Sequence, residues 1–332
     1  MRKNYVKIGN IQCPVNCLHY RHVVVKTKLG ENLAFFVPCG KCYRCRKRAA
    51  AQWAFRLEDE ASDRYVYNML FTYAPEHMPY KDGVMVLNRQ HVTEMMKRLR
   101  YYFDRYLKIK VRVFLCGEYS PEKKRPHYHA ILFSPVNLRD VVNEQGVYFM
   151  DFLSQKLTQN CWSKGLCKIS EFSSRGDIGK MVGYMVTYMM TSVPEFYEDK
   201  YVRPFRIMSR GLGERFTEHY PKVLPSCKRR GEYTYQINTP KGTRDVSYPR
   251  YYVKKWTSDS EKYKRRKDYL ELSNQFHNYI NYLSDERTRK SDSHPDWRTY
   301  KNRLEAYRCQ EKEIELDNFR KRKVHGNNNH SD

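Results

Sequence analysis

The chain has 332 residues, with 62 Lys and Arg against 37 Asp and Glu, and a formal net charge of +25 at pH 7. With 40% hydrophobic residues, 29 Tyr and 15 Phe among its aromatics, it carries enough apolar material for a buried core, which excludes wholesale disorder. Its length accommodates about two domains. Such a positive charge on a folded chain rich in stacking rings predicts a polyanionic partner, nucleic acid first.

The start, Met1-Arg2-Lys3-Asn4-Tyr5, leads into no apolar secretion segment, so the chain is expected to act in a cytoplasm and not on a membrane. Ten Cys are there expected as thiols or metal ligands, not disulfides. Half of them, Cys13, Cys17, Cys39, Cys42 and Cys45, crowd into the first 45 residues. Closely spaced thiols can point several sulfurs at one structural Zn2+, yet this irregular set equally suits reduced, partly buried cysteines.

From Arg46 to Arg64 the sequence predicts a helix: Ala49, Ala50 and Ala51 favour it, Trp53 and Leu57 fall one turn apart, and no Pro or Gly intervenes. Its basic start offers contacts to phosphate or a solvated face. Tyr65 to Tyr73 reads as a strand, ended by Ala74-Pro75-Glu76. Asn88 opens a helix in which Val92, Met95, Met96, Leu99, Tyr102, Phe103 and Tyr106 form a core-facing stripe. Strands at Lys110 to Tyr119 and His127 to Phe133, joined through the polar turn Ser120 to Pro126, form an antiparallel hairpin.

Phe152 to Trp162 reads as a helix before the loop Ser163-Lys164-Gly165, and Asp177 caps another from Ile178 towards Ser192, closed by Pro194. The charge-free apolar stretch Met181 to Pro194 is too short to cross a bilayer. Beyond residue 220, clusters such as Lys228-Arg229-Arg230 and Lys254-Lys255-Trp256 alternate with polar helical stretches, and Gly326 to Asp332 is expected to be disordered. The expected fold class is α+β: a central antiparallel sheet with flanking helices, gathered on one face, and a mainly helical basic C-terminal region. The expected divisions are 1–64, Cys-rich and helical; 65–220, the sheet domain; and 221–332.

The chemistry concentrates in the hairpin. Side chains alternate along a strand, so His127 and His129 emerge on one face, where two imidazoles can hold one divalent metal or stand as ordinary histidines. Glu118 ends the preceding strand and folds back beside them, as a third ligand or as an exposed partner of Lys123 or Arg125. Tyr184 and Tyr188 lie one helical turn apart, so both hydroxyls can serve one site or both rings can pack in a core.

Taken in order, Phe71-Thr72-Tyr73, Gly117-Glu118-Tyr119, Arg125-Pro126-His127-Tyr128-His129-Ala130-Ile131-Leu132-Phe133 and Tyr184-x-x-x-Tyr188 resemble the replication initiators of the Microviridae, in particular the gokushoviruses, within the HUH endonuclease superfamily. Pro38-Cys39-Gly40-Lys41-Cys42 and Pro204-Phe205 with Met208-Ser209 are similar to the same phage branch, and the likeness runs from about Cys13 to Phe216. The resemblance implies a Mg2+ or Mn2+ site at Glu118, His127 and His129, and nucleophilic tyrosines at Tyr184 and Tyr188. It implies nicking of single-stranded origin DNA through a 5′-phosphotyrosyl intermediate, leaving a 3′-OH that primes rolling-circle replication in the host bacterial cytoplasm. Host helicase and polymerase are the further partners it suggests. Members commonly carry a Lys three residues after the second Tyr; here Thr191 stands there, and Lys180, one turn before Tyr184, is the candidate supporting group. Two other classes compete: a non-catalytic protein that binds or packages DNA, and a metal-dependent nuclease using activated water.

Overall fold

The computed structural model describes residues 5–8, 11–14, 21–26, 32–40, 43–120, 123–142, 146–172, 202–239, 242–265 and 267–271. They belong to two compact units, residues 50–220, and residues 1–49 with 221–332. The first elements are two antiparallel hairpins, β1 (Tyr5–Ile8) with β2 (Ile11–Pro14) and β3 (Arg21–Lys26) with β4 (Asn32–Val37). No strand was expected here, because the cysteine spacing overshadows runs such as Val23-Val24-Val25 and Phe35-Phe36, whose branched and aromatic side chains favour extended pairing.

Helix α1 (Tyr43–Glu60) covers the Ala-rich stretch and tightens into a 3-10 turn at Ala61–Asp63. Strand β5 (Tyr65–Thr72) follows. A short hairpin, β6 (Tyr80–Lys81) with β7 (Val84–Met85), then leads to α2 (Arg89–Leu107), whose N-cap Asn88 accepts from the backbone N–H groups of Gln90 and His91. That pairing satisfies two of the donors a helix start leaves open. Strands β8 (Arg112–Tyr119) and β9 (Pro126–Ser134) form the expected hairpin. Helix α3 (Phe149–Lys156) starts three residues earlier than expected and runs into a π-helical turn at Leu157–Cys161.

Two strands escaped the sequence reading, β10 (Cys167–Glu171) and β11 (Phe205–Met208). They are the edges of a five-stranded sheet in the order β10-β5-β9-β8-β11, every pair antiparallel. Edge strands are short and only half buried, so they lack the strong apolar pattern that marks central ones.

The period-2 alternation splits the sheet into two faces. Met69 and Phe71 of β5, Leu115 of β8, and Tyr128, Ala130 and Leu132 of β9 share one core with the apolar stripe of α2 and with α3. On the other face Phe114, Ile131 and Phe133 are buried, and Trp53 of α1 packs on Phe114 with ring centroids 5.2 Å apart. Helices therefore flank both faces, not one: α1 carries its own apolar residue spacing and finds this second face.

The short helix α4 (Phe216–His219) ends the sheet unit. The C-terminal segment of the other unit holds α5 (Val223–Arg230), a hairpin of β12 (Thr234–Thr239) with β13 (Gly242–Ser247), and α6 (Arg250–Trp256). The region expected to be mainly helical thus holds a hairpin. Tyr248 and Tyr252 pack on Trp256 at 5.3 and 5.4 Å between centroids, while Lys254 and Lys255 stay exposed. Among the described residues no helix is long and apolar enough to cross a membrane. The helix expected from Ile178 to Ser192 and the tail Gly326 to Asp332 lie outside the described residues.

Candidate functional site

The β8–β9 ladder sets the site. Its register places Glu118 opposite His127 and Cys116 opposite His129, so the carboxylate and both imidazoles leave the sheet on one face, as alternation requires. The turn is closed by Ser120, whose N–H donates to the Arg125 carbonyl (2.9 Å) and whose hydroxyl accepts from the Arg125 N–H (3.0 Å).

His127 Nε2 lies 3.0 Å, and His129 Nε2 3.1 Å, from the same Glu118 Oε1. Their ligand atoms all fall within 4.8 Å of one another. Glu118 is buried, and its Oε2 has no hydrogen-bond partner among the described residues. Burial alone would raise the Glu118 carboxyl; hydrogen bonds and charge from His127 and His129 outweigh it and hold the group at about 2. Burial pulls His127 down, but its bond to Glu118 wins and raises it above 6.5. An orphaned buried oxygen beside two converging ring nitrogens is a donor set that fits a divalent cation, with both histidines still partly exposed.

Behind the triad, on the core face, a phenol network fixes the same strands. Tyr128 Oη accepts from the Asn88 N–H (2.8 Å) and lies 2.9 Å from Tyr73 Oη, which reaches His91 Nδ1 at 3.1 Å. Tyr119 Oη accepts from the Leu87 N–H (2.9 Å) and donates to the Val202 carbonyl (2.9 Å). Burial pushes the Tyr128 and Tyr73 hydroxyls up, so both stay protonated as structural donors. Sequence reading found no role for Tyr73; the cue was its place at the end of β5, one residue past Thr72, which pairs with His127.

Two glycines permit this packing. A Cβ on Gly117 would meet Tyr128 Cε1 at 2.9 Å, and one on Gly165, at φ +152°, would collide with the Thr72 carbonyl oxygen. Without them neither Tyr128 nor the 164–166 segment could approach β5 and β8 so closely; Ala74 N donates to the Lys164 carbonyl at 2.7 Å.

Tyr184, Tyr188, Lys180 and Thr191 lie outside the described residues, as do Cys17 and Cys42. Cys13 is in β2, with its side chain outside the description. Cys39 and Cys45 are buried with their sulfurs 4.0 Å apart, about twice the ~2.05 Å of a disulfide, so no disulfide joins them.

Residues 68–192 match the model of the family described as replication-associated protein ORF2, a span that contains the whole triad. The replication-associated protein ORF2 of Spiroplasma virus 4 is 27% identical over 249 residues, 72% of this chain and 74% of that protein. The replication-associated protein ORF4 of Chlamydia phage 1 is 31% identical over 104 residues, 31% of this chain and 25% of that protein. The replication-associated protein VP4 of Bdellovibrio phage phiMH2K is 31% identical over 114 residues, 32% of this chain and 35% of that protein. The matches to the last two thus span about a quarter to a third of those relatives. No solved structure matches significantly. The matched segment and its phage relatives place this chain among the Microviridae-type replication-associated proteins.

Proposed function

We propose that the chain is a replication initiator of HUH endonuclease type, which nicks and rejoins single-stranded origin DNA in the host bacterial cytoplasm. The observation that carries this reading is the convergence of His127 Nε2 and His129 Nε2 on Glu118 Oε1 at the end of the sheet. These three residues would hold the cation, and the nitrogen share of the set favours Mn2+ over Mg2+, which prefers oxygen ligands. When bound, such an ion supplies charge neutralisation and orientation to a phosphodiester.

The chain's own chemistry is assigned to Tyr184 and Tyr188. The phenolic oxygen of one forms a bond to phosphorus as the P–O3′ bond breaks; the phenol loses its proton and the departing 3′ oxygen gains one. The products are a 5′-phosphotyrosyl chain and a free 3′-OH that primes synthesis by the host polymerase, with a host helicase to open the duplex. A phenol has an ordinary pKa near 10, so proton removal needs help, and Lys180 is the residue proposed to supply it. A second tyrosine one turn away allows another cleavage before the first strand is released.

Cys39 and Cys45 are proposed as two ligands of a structural Zn2+ with Cys13, Cys17 or Cys42: tetrahedral Zn–S bonds of ~2.3 Å put sulfurs about 3.8 Å apart, close to the 4.0 Å here. Metal analysis of the purified chain should return one zinc per molecule; none would leave the cysteines as buried thiols.

The test of the enzymatic reading is a denaturing gel after incubation with an origin-containing single strand and Mn2+. A covalent protein–DNA adduct that disappears in the Tyr184→Phe, Tyr188→Phe double variant is the expected result. Cleavage without adduct would instead indicate hydrolysis by activated water.

A further inference from the structure

We infer that Arg206, with Lys168 on the opposite edge of the sheet, grips the phosphodiester backbone of a single-stranded DNA lying across the triad, on either side of it. The inference rests on the DNA substrate proposed above and deepens it, and it gives a place to the Pro204–Ser209 motif, which the nicking chemistry leaves unused.

The strand registers put five residues in one row across the sheet: Lys168 pairs with Leu70, Leu70 with His129, His129 with Cys116, and Cys116 with Arg206. Paired residues share a face, so both cations stand on the face of Glu118, His127 and His129. Phe205 confirms the alternation, since it turns to the core face and lies 6.2 Å from the Tyr128 ring. With strands ~4.8 Å apart, each cation stands ~10 Å to one side of His129 and the row is ~19 Å long, a span of several nucleotides.

Arg206 is presented and not spent. Its guanidinium carbon lies 5.6 Å from the centre of the Trp53 ring, which itself rests on Phe114 of the same face. Arg56, also over Trp53 at 4.4 Å, gives its N–H groups to the Leu212 carbonyl. Arg206 has no such acceptor and no carboxylate partner among the described residues, and neither has Lys168; both are exposed. A planar fork held on an indole keeps its five donors pre-oriented, the arrangement suited to phosphate oxygens.

The test measures binding of the full chain to a single-stranded oligonucleotide in chelator, so that no cleavage enters, across a range of salt. Each phosphate contact on a single strand contributes about 0.7 to the slope of log K against log salt. Arg206→Gln and Lys168→Gln should each lower that slope by about 0.7, and the double variant by about 1.4, beyond the effect of Lys97→Gln, an exposed change on the outer side of α2. Arg206→Lys, which keeps the charge, should retain the slope. Lys168→Gln reads the same strand without touching the Trp53 stack, so a folding defect in an Arg206 variant does not mask the answer. Slopes of both Gln variants equal to that of Lys97→Gln would overturn the inference. Because the assay is metal-free, that outcome leaves adduct formation untouched, whereas a missing adduct with shifted slopes would sink the nicking reading alone.

Discussion

His127 Nε2 and Glu118 Oε1 stand 3.0 Å apart across one rung of the β8–β9 ladder, and the buried carboxylate and the imidazole each shift the other's proton affinity. Without a cation they form an ion pair whose contribution to stability has two limits. Glu118 is held down to about 2, so its share is fully present above its ordinary 4.5 and is lost as pH falls from there. His127 is held above 6.5, so its share is fully present below 6.5 and lost as pH rises through its folded value. In chelator the share of this pair in the melting temperature should therefore peak between 4.5 and 6.5. Mn2+ needs deprotonated imidazoles, so the rise in melting temperature it causes should be small near about pH 5 and large near about pH 8. Thermal melts at the two pH values, with and without Mn2+, check this; an equal gain at both would contradict it.

Replacing a triad member should remove metal binding without unfolding the sheet. For Glu118→Gln or His129→Ala, calorimetric titration with Mn2+ should show affinity falling by more than the roughly 10- to 100-fold that loss of a ligand's hydrogen-bond partner costs. Retained affinity would place the cation elsewhere.

Gly117→Ala tests how closely the site depends on its packing. The added Cβ would press on the Tyr128 ring at 2.9 Å, and over-packing of this kind costs about 1–3 kcal/mol. Denaturant melts should show that loss, and Mn2+ affinity should fall with it because Gly117 adjoins Glu118. Unchanged stability would mean that the ring yields freely.

Tyr128→Phe removes the acceptor of the Asn88 N–H while keeping the ring, and an orphaned backbone donor costs about 1–3 kcal/mol. Since the hydroxyl faces away from the triad, Mn2+ affinity should stay near that of the parent chain. Urea unfolding alongside metal titration separates the two; a large fall in Mn2+ affinity would tie the phenol network to the site.

The hairpin that builds the triad was legible because its determinants are local. The turn Ser120 to Pro126 fixes which residues face each other, and alternation puts His127 and His129 on one face. The stripe from Val92 to Phe103 gave α2 for the same reason, a full face of apolar residues at helical spacing. What escaped depends on distant partners. Arg206 and Lys168 enter the row of His129 only through pairings of β11 with β8 and of β10 with β5, across about 90 and 100 residues of sequence. Tyr73 likewise gains meaning only when Tyr128 and His91 are beside it.

The most direct measurement is peptide mapping of DNA-linked protein after reaction with an origin-containing single strand, run with Mn2+, with chelator, and with Glu118→Gln. The account predicts nucleotide on the peptide bearing Tyr184 and Tyr188, in the Mn2+ reaction of the parent chain alone. DNA cut while the chain stays unmodified, an adduct at another residue, or undiminished adduct in chelator would contradict it.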